Sequence, residues 1–239
     1  MRFIFIGLLL GACATTWNPA PGFKYVPISA GEYEIATYQK ITNKTDTIHI
    51  YIEGDGHAFD AHGAPTADPT PHGTMVRDLA MRDGATNVAY VARPCQFIMS
   101  PKCSESDWTD GRFSKKIINT MSKAIKKVAG NRPIILIGYS GGAMISGLVI
   151  EQNPAMPVKE WITIAGVLNH HEWTRHFGDA PLTKSQDLQQ MPNVPARHFI
   201  GMRDRIVPPE LTRATIGDTG QIIEIPDTGH SDFTNMDLF

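Results

Sequence analysis

A predicted strand that turns abruptly into a helix at a serine is the sequence feature that most constrains the fold of this chain. The apolar run over residues 134–137 leads directly into Gly-Tyr-Ser-Gly-Gly at 138–142, and a stretch of small and apolar residues follows over 143–150. Glycines two positions before and two positions after Ser140 lack the Cβ atoms that would collide in so sharp a turn. The pattern predicts a strained turn that exposes the Ser140 hydroxyl between a buried strand and a helix packed on a sheet.

The rest of the chain alternates between runs typical of strands and runs typical of helices. Strands are predicted over residues 46–52, 87–91, 160–166, 196–201 and 220–225. Helices are predicted over 73–81 and 114–128, and in the second of these a stripe of apolar residues at helical spacing opposes a row of lysines. This alternation predicts an α/β fold with a mostly parallel central sheet and helices on both faces.

Composition excludes some classes of partner. The 239 residues include 22 Lys and Arg against 24 Asp and Glu, for a net charge of -2, and no run of like charge occurs. We therefore expect no nucleic-acid partner. The nine histidines follow no spacing typical of a metal site, and we expect neither a metal nor an organic cofactor.

Two residues downstream complete a set that can activate a serine. A serine hydroxyl is a weak nucleophile and needs an adjacent base that a carboxylate orients. Asp204 and His230 each come directly after a predicted strand. Because the carboxyl ends of parallel strands meet at one edge of a sheet, we expect both to lie near Ser140. Asp227 and Asp232 flank His230 and remain alternatives for the acid.

A glycine-rich turn follows the predicted strand over 46–52. Gly54 and Gly56 let the backbone approach a bound acyl group closely and direct an amide at it. Attack of a serine on a carbonyl creates an oxyanion that needs such donors. The candidate donors are the amides of Gly141 and Asp55, with Gly56 as the alternative to Asp55. A plain turn is the other interpretation of this segment.

Together these motifs resemble those of the α/β-hydrolase superfamily. The resemblance rests on Glu-Gly-Asp-Gly at 53–56, Gly-Tyr-Ser-Gly-Gly at 138–142, Asp204 with Ile-Val-Pro at 206–208, and Gly229 with His230. It implies the α/β-hydrolase fold and a Ser140–His230–Asp204 triad that works through an acyl-enzyme, but no particular substrate. Glu53 is a departure, because a histidine is common at this position of such loops.

The chain looks closest to small secreted or lipid-anchored α/β-hydrolases of bacteria. Those proteins similarly carry an Arg-Pro-Cys-Gln stretch, here at 93–96, and a later cysteine before a tryptophan-containing loop. In an exported protein, Cys95 and Cys103 are expected to form one disulfide that closes a short loop. A pair of free thiols is the alternative.

The first residues indicate export. Met-Arg, the apolar segment 3–10 and a small-residue ending before Cys13 are typical of a lipoprotein signal peptide, and the apolar segment is too short to span a bilayer. By resemblance to bacterial lipoproteins, residues 1–12 are the signal peptide, 13–30 are the lipidated Cys13 and its tether, and 31–239 are the catalytic domain. The anchor would hold the protein to a membrane of the bacterial cell envelope, facing the periplasm, with the outer membrane favoured. A plain secretory signal and a cytosolic protein with an apolar start are the alternatives.

The predicted activity is that of a serine hydrolase acting on a carboxylic ester, or a related acyl bond, of a small molecule. The alternatives are an acyltransferase or a peptidase that uses the same catalytic groups, and an envelope binding protein that has the same fold but no activity. The short insertion over 167–195 favours a small ester over a long-chain triglyceride. Apolar candidates for an acyl pocket, or for ordinary packing, are Leu168, Trp173, Phe177, Leu182 and Trp108.

Overall fold

A mostly parallel sheet forms the centre of the protein, shown here by a computed structural model that describes residues 19–239. The strands are β1 Lys24–Tyr25, β2 Ile28–Ala30, β3 Tyr33–Ile35, β4 Thr37–Ile41, β5 Ile48–Ile52, β6 Asn87–Val91, β7 Ile134–Tyr139, β8 Val158–Ile164, β9 Ala196–Gly201 and β10 Gln221–Ile225. Eight of them form one sheet in the order β1-β4-β6-β5-β7-β8-β9-β10. Strands β5 to β10 are parallel to one another, β4 pairs antiparallel with β6, β1 pairs antiparallel with β4, and β2 pairs with β3 in a separate hairpin.

Helices cover both faces of this sheet. They are α1 Met75–Arg82, α2 Lys115–Ala129, α3 Gly141–Gln152, α4 His170–Phe177 and α5 Pro209–Ile216. One core layer packs α2, α3 and α5 against the sheet, and a second layer packs α1 and the carboxyl-terminal segment against the opposite face. The pleat divides one strand between the layers, since Ile50 lies in the first and Tyr51 in the second. The predicted fold class is confirmed.

The predicted elements lie within a few residues of the observed ones. The strands predicted over 87–91 and 196–201 have the same bounds as β6 and β9. The predicted helix over 114–128 is α2, and Ser114 is its N-cap residue, with a side chain that accepts a hydrogen bond from the Ile117 amide. Strand β7, the turn at Ser140 and helix α3 follow one another as the motif at 138–142 predicts.

The amino-terminal boundary differs from the one drawn from the sequence. Residues 13–30 are predicted to be a lipidated cysteine and a tether, yet Lys24–Tyr25 pairs with β4 and Ile28–Ala30 pairs with β3. Phe23 is buried in the second core layer. Because these apolar side chains pack on the domain, the domain begins before residue 31. Cys13 and the predicted signal peptide lie outside the described residues. Within residues 19–239, no helix has the length and apolar character needed to cross a bilayer.

A disulfide closes the loop that follows β6. It joins Cys95 to Cys103, with 5.8 Å between their Cα atoms. The predicted pairing is confirmed. The loop leads into a short 3-10 turn at Glu105–Asp107 and then into α2.

Candidate active site

The turn at Ser140 holds its backbone in a conformation that few side chains adopt. Ser140 has φ 51° and lies at the junction of β7 and α3. A Cβ at Gly142 would lie 2.5 Å from the Glu53 carbonyl oxygen, and a Cβ at Gly138 would collide with the carbonyl oxygen of Gly142. Both glycines are therefore required for the tight approach of strand, turn and helix. The packing around Ser140 stabilises this strained backbone conformation.

The structure brings Ser140, His230 and Asp204 into one hydrogen-bonded chain. His230 Nε2 lies 3.0 Å from Ser140 Oγ, and His230 Nδ1 lies 2.8 Å from Asp204 Oδ2. The other carboxylate oxygen, Asp204 Oδ1, accepts hydrogen bonds from the amides of Ile206 and Val207 at 2.8 and 2.9 Å. This arrangement fixes the Asp204 carboxylate, which in turn orients the imidazole toward the serine hydroxyl.

The alternative acids have other partners. The Asp227 carboxylate is exposed and forms an ion pair with Arg203 at 2.5 Å. Asp232 accepts a hydrogen bond from the Gly229 amide at 3.0 Å. The carboxylate that contacts the His230 ring is that of Asp204, from the loop after β9.

Tyr139, which was not predicted as a site residue, packs against the His230 imidazole. Its ring lies 5.1 Å from the His230 ring, centroid to centroid. Its hydroxyl donates to the His230 carbonyl oxygen at 3.2 Å. Burial raises the pKa of the Tyr139 hydroxyl, so this group remains a hydrogen-bond donor at physiological pH.

The turn after β5 is fixed by the buried Glu53. Glu53 Oε1 accepts from the Gly54 amide at 2.9 Å, and Glu53 Oε2 accepts from the Tyr90 hydroxyl at 2.8 Å. The turn places Asp55 against Gly141, because a Cβ on Gly141 would collide with Asp55 Oδ1. The Gly141 amide belongs to the first turn of α3, where N–H groups lack intrahelical partners. The Asp55 side chain and the Gly141 backbone therefore meet at the amino-terminal end of α3.

A cavity of about 760 Å³ opens above Ser140 and His230. Its wall is mainly apolar. The residues that line it include Ala58, Phe59, Arg112, Val167, Trp173 and Ile206. Trp173 ties helix α4 to the loop of the acid, since its indole Nε1 donates to the Ile206 carbonyl oxygen at 2.6 Å. Of the five apolar candidates for an acyl pocket, only Trp173 is among the residues that line this cavity.

Solved structures with low sequence identity share this architecture. XC6422 of Xanthomonas campestris, an α/β serine hydrolase without a lid, has 14% identity and a TM-score of 0.55, covering 90% of this chain and 89% of its own. Est1E of Butyrivibrio proteoclasticus has 12% identity and a TM-score of 0.62, covering 87% and 90%. CarC, a serine hydrolase involved in carbazole degradation, has 15% identity and a TM-score of 0.58, covering 89% and 93%. This chain has the α/β-hydrolase fold. No protein-family model and no curated protein matches its sequence.

Two arginines that were not predicted as site residues lie beside this site. Arg93 forms a short ion pair with Asp55 Oδ1, and Arg112 Nη1 lies 3.2 Å from Asp55 Oδ2. Burial alone would raise the pKa of the Asp55 carboxyl, but the two arginines outweigh it and the pKa is lowered. Arg93 is part of the Arg-Pro-Cys-Gln stretch, which was the available signal, whereas nothing in the sequence pattern marks Arg112. Among residues 19–239, no group of three or more His, Cys, Asp or Glu is placed to hold a metal ion.

Proposed function

We propose that this protein is a serine hydrolase that cleaves a carboxylic ester of a small molecule through an acyl-enzyme. The observation that carries the proposal is the hydrogen-bonded chain from Ser140 through His230 to Asp204, which lies beneath a cavity of about 760 Å³. Nucleophile and base are within hydrogen-bonding distance, and a carboxylate orients the base, as this chemistry requires.

Each residue has a role in the proposed reaction. Ser140 Oγ attacks the ester carbonyl carbon while His230 Nε2 accepts the hydroxyl proton. The amides of Gly141 and Asp55 donate to the oxyanion, and the amino-terminal end of α3 adds a favourable field. Asp204 stabilises the imidazolium. Collapse of the tetrahedral intermediate expels the alcohol, which takes the proton from His230.

The second half of the reaction restores the enzyme. His230 accepts a proton from a water molecule, whose oxygen attacks the acyl-enzyme carbonyl. The resulting intermediate expels Ser140 Oγ, which regains its proton from His230, and the carboxylic acid leaves. If an alcohol replaced this water, the product would be a new ester, as in an acyltransferase.

The size of the cover favours a small ester. Between β8 and β9 the segment over the cavity contains one short helix, α4, of eight residues. A long-chain lipid needs more apolar surface than so small a cover provides. A purely binding role is disfavoured, because a binding module gains nothing from a strained serine that is hydrogen-bonded to an oriented histidine.

We also propose that the enzyme acts at the bacterial cell envelope. Cys13, at the end of the apolar amino-terminal segment, would carry lipid and attach the domain to a membrane from the periplasmic side, with the outer membrane favoured. Mass spectrometry of the protein purified from membranes tests this directly. A diacylglyceryl modification on an amino-terminal Cys13 is the expected result, and an unmodified chain that begins elsewhere would contradict it.

Turnover of p-nitrophenyl acetate and butyrate tests the activity. We expect Ser140→Ala to lower kcat by at least about 10³-fold with an unchanged circular dichroism spectrum. Ser29→Ala, an exposed serine in β2, is the matched control and should keep wild-type rates. Equal turnover by Ser140→Ala and wild type would exclude Ser140 as the nucleophile. The same assay with p-nitroanilide substrates or added alcohols separates hydrolysis of esters from peptidase and acyl-transfer activity.

A further inference from the structure

The wall of the active-site cavity contains an arginine, Arg112, that does not have a carboxylate to itself. Arg93 and Arg112 share the single carboxylate of Asp55. Arg93 also donates through Nη2 to the Arg112 carbonyl oxygen at 2.7 Å. Arg112 differs, because its side chain lines the cavity although it is only 5% exposed.

The other titratable groups around this cluster have partners other than Arg112. Glu53 accepts hydrogen bonds from the Gly54 amide and the Tyr90 hydroxyl, one on each carboxylate oxygen. Asp204 is committed to His230. His170 Nε2 lies 3.5 Å from Asp187 Oδ2, and burial lowers the pKa of this imidazole. Among the described residues, the carboxylate that Arg112 contacts is therefore that of Asp55, which it shares with Arg93.

The surroundings of Arg112 exclude water from its guanidinium. Aromatic rings lie close to its guanidinium carbon, with centroids of Phe59, Phe113 and Trp173 at 5.6, 5.7 and 5.6 Å. Its Nε is buried and has no hydrogen-bond partner among the described residues. A desolvated cation with an unsatisfied donor is unfavourable by itself but binds an anion strongly, because water competes little there.

We propose that Arg112 binds a free carboxylate on the substrate, so that the preferred substrates are half-esters of short dicarboxylic acids. Arginine matches a carboxylate better than any other side chain, since its N–H groups reach both oxygens. Asp55 contacts both Arg112 and the space beside Gly141, next to the nucleophile. Only a few atoms therefore separate the carboxylate from the scissile carbonyl. This inference rests on the proposed esterase function and specifies its substrate class.

Comparison of kcat/KM for a charged ester and for its neutral isostere tests the inference. Monomethyl glutarate carries the free carboxylate, and methyl 4-carbamoylbutanoate replaces it with an amide of the same shape. We expect wild-type kcat/KM to be about 10-fold to 100-fold higher for the charged ester, as charge-assisted hydrogen bonds allow. Monomethyl succinate and monomethyl adipate bracket the distance between the two groups.

Variants assign the preference to one arginine. Arg112→Gln should reduce the ratio of the two kcat/KM values to about one, and Arg112→Lys should leave an intermediate ratio because it keeps the charge but not the fork of donors. Arg175→Gln, an exposed arginine on α4, is the matched control and should keep the wild-type ratio. A ratio near one in wild type, or a wild-type ratio in Arg112→Gln, would overturn the inference.

Binding without turnover separates this inference from the proposed function. Glutarate binding to wild type and to Arg112→Gln is measured by calorimetry. If no ester is hydrolysed, glutarate binding that Arg112→Gln abolishes still supports the carboxylate site. If neutral esters are hydrolysed but glutarate binds equally to both proteins, the esterase function stands and the inference fails.

Discussion

At the scale of single residues, the site depends on how closely side chains approach Gly141. The Asp55 carboxylate occupies the space where any other residue would place its Cβ, and Arg93 Nη1 lies 2.9 Å from the same point. Position 141 must therefore be glycine as long as residue 55 carries a carboxylate held by two arginines. A negative charge so near a developing oxyanion would oppose catalysis. The arginines remove that penalty.

Gly141→Ala tests this dependence. The new methyl group must displace the Asp55 carboxylate, so we expect kcat/KM for p-nitrophenyl butyrate to fall by roughly 10-fold to 100-fold. In an Asp55→Ala background the same substitution meets less resistance and should cost clearly less, which is the non-additivity of residues in contact. Strictly additive effects of the two substitutions would contradict the account.

A second residue-scale prediction concerns stability and pH. His198 is fully buried beside Thr163, whose Oγ1 lies 2.8 Å from Nδ1, and burial lowers the pKa of His198 from 6.5 to about 4. The unfolded chain gains a proton on this histidine as the pH falls through 6.5, whereas the folded chain does so only near pH 4. The stabilisation that comes from keeping His198 neutral is therefore fully present above pH 6.5 and is lost as the pH falls from 6.5 to about 4.

Urea unfolding measures this loss. Between about pH 7.5 and about pH 5, His198 should reduce the free energy of unfolding by about 2 kcal/mol. His198→Leu is less stable overall because Thr163 loses a partner, but its free energy of unfolding should change less with pH by that amount. An identical pH dependence in both proteins would show that His198 does not titrate as described.

At the scale of elements, the disulfide segment after β6 holds the turn that supplies Asp55. Gln96 Nε2 donates to the Gly54 carbonyl oxygen at 2.9 Å, and Gln96 Oε1 accepts from the Arg93 amide at 2.9 Å. Cys95, which lies between Arg93 and Gln96 in the sequence, forms the disulfide with Cys103. The Arg-Pro-Cys-Gln stretch is therefore a clamp that fixes the candidate oxyanion turn as well as a site for a disulfide.

Removal of the disulfide should affect both stability and rate. A loop with eight residues of sequence separation corresponds to about 2.5 kcal/mol of stabilisation through the unfolded state. We expect Cys95→Ala/Cys103→Ala to lose about that free energy of unfolding and to lower kcat, because the clamp on Gly54 loosens. Reductant should reproduce the stability loss in wild type and leave the double variant unchanged. A wild-type urea midpoint that is insensitive to reductant under conditions that break the bond would contradict this.

At the scale of the whole molecule, the sequence predicted what local pattern determines and missed what long-range packing determines. Alternating strand and helix patterns predicted the fold class, and strand ends predicted that Ser140, Asp204 and His230 would meet. The two- and three-residue strands near the amino terminus were missed, because their pairing with β4 and β3 decides their structure. Arg112 was missed for a similar reason, since its partner Asp55 is distant in the chain.

Labelling with a fluorophosphonate probe, followed by peptide mapping, tests directly whether His230 activates Ser140. The signal-free protein is compared with Ser140→Ala and His230→Ala, and the circular dichroism spectra establish that all three are folded. We expect a label on Ser140 in wild type, none in Ser140→Ala, and labelling slowed by at least about 10²-fold in His230→Ala. An unlabelled Ser140 in folded wild type, or labelling that does not depend on His230, would contradict this expectation.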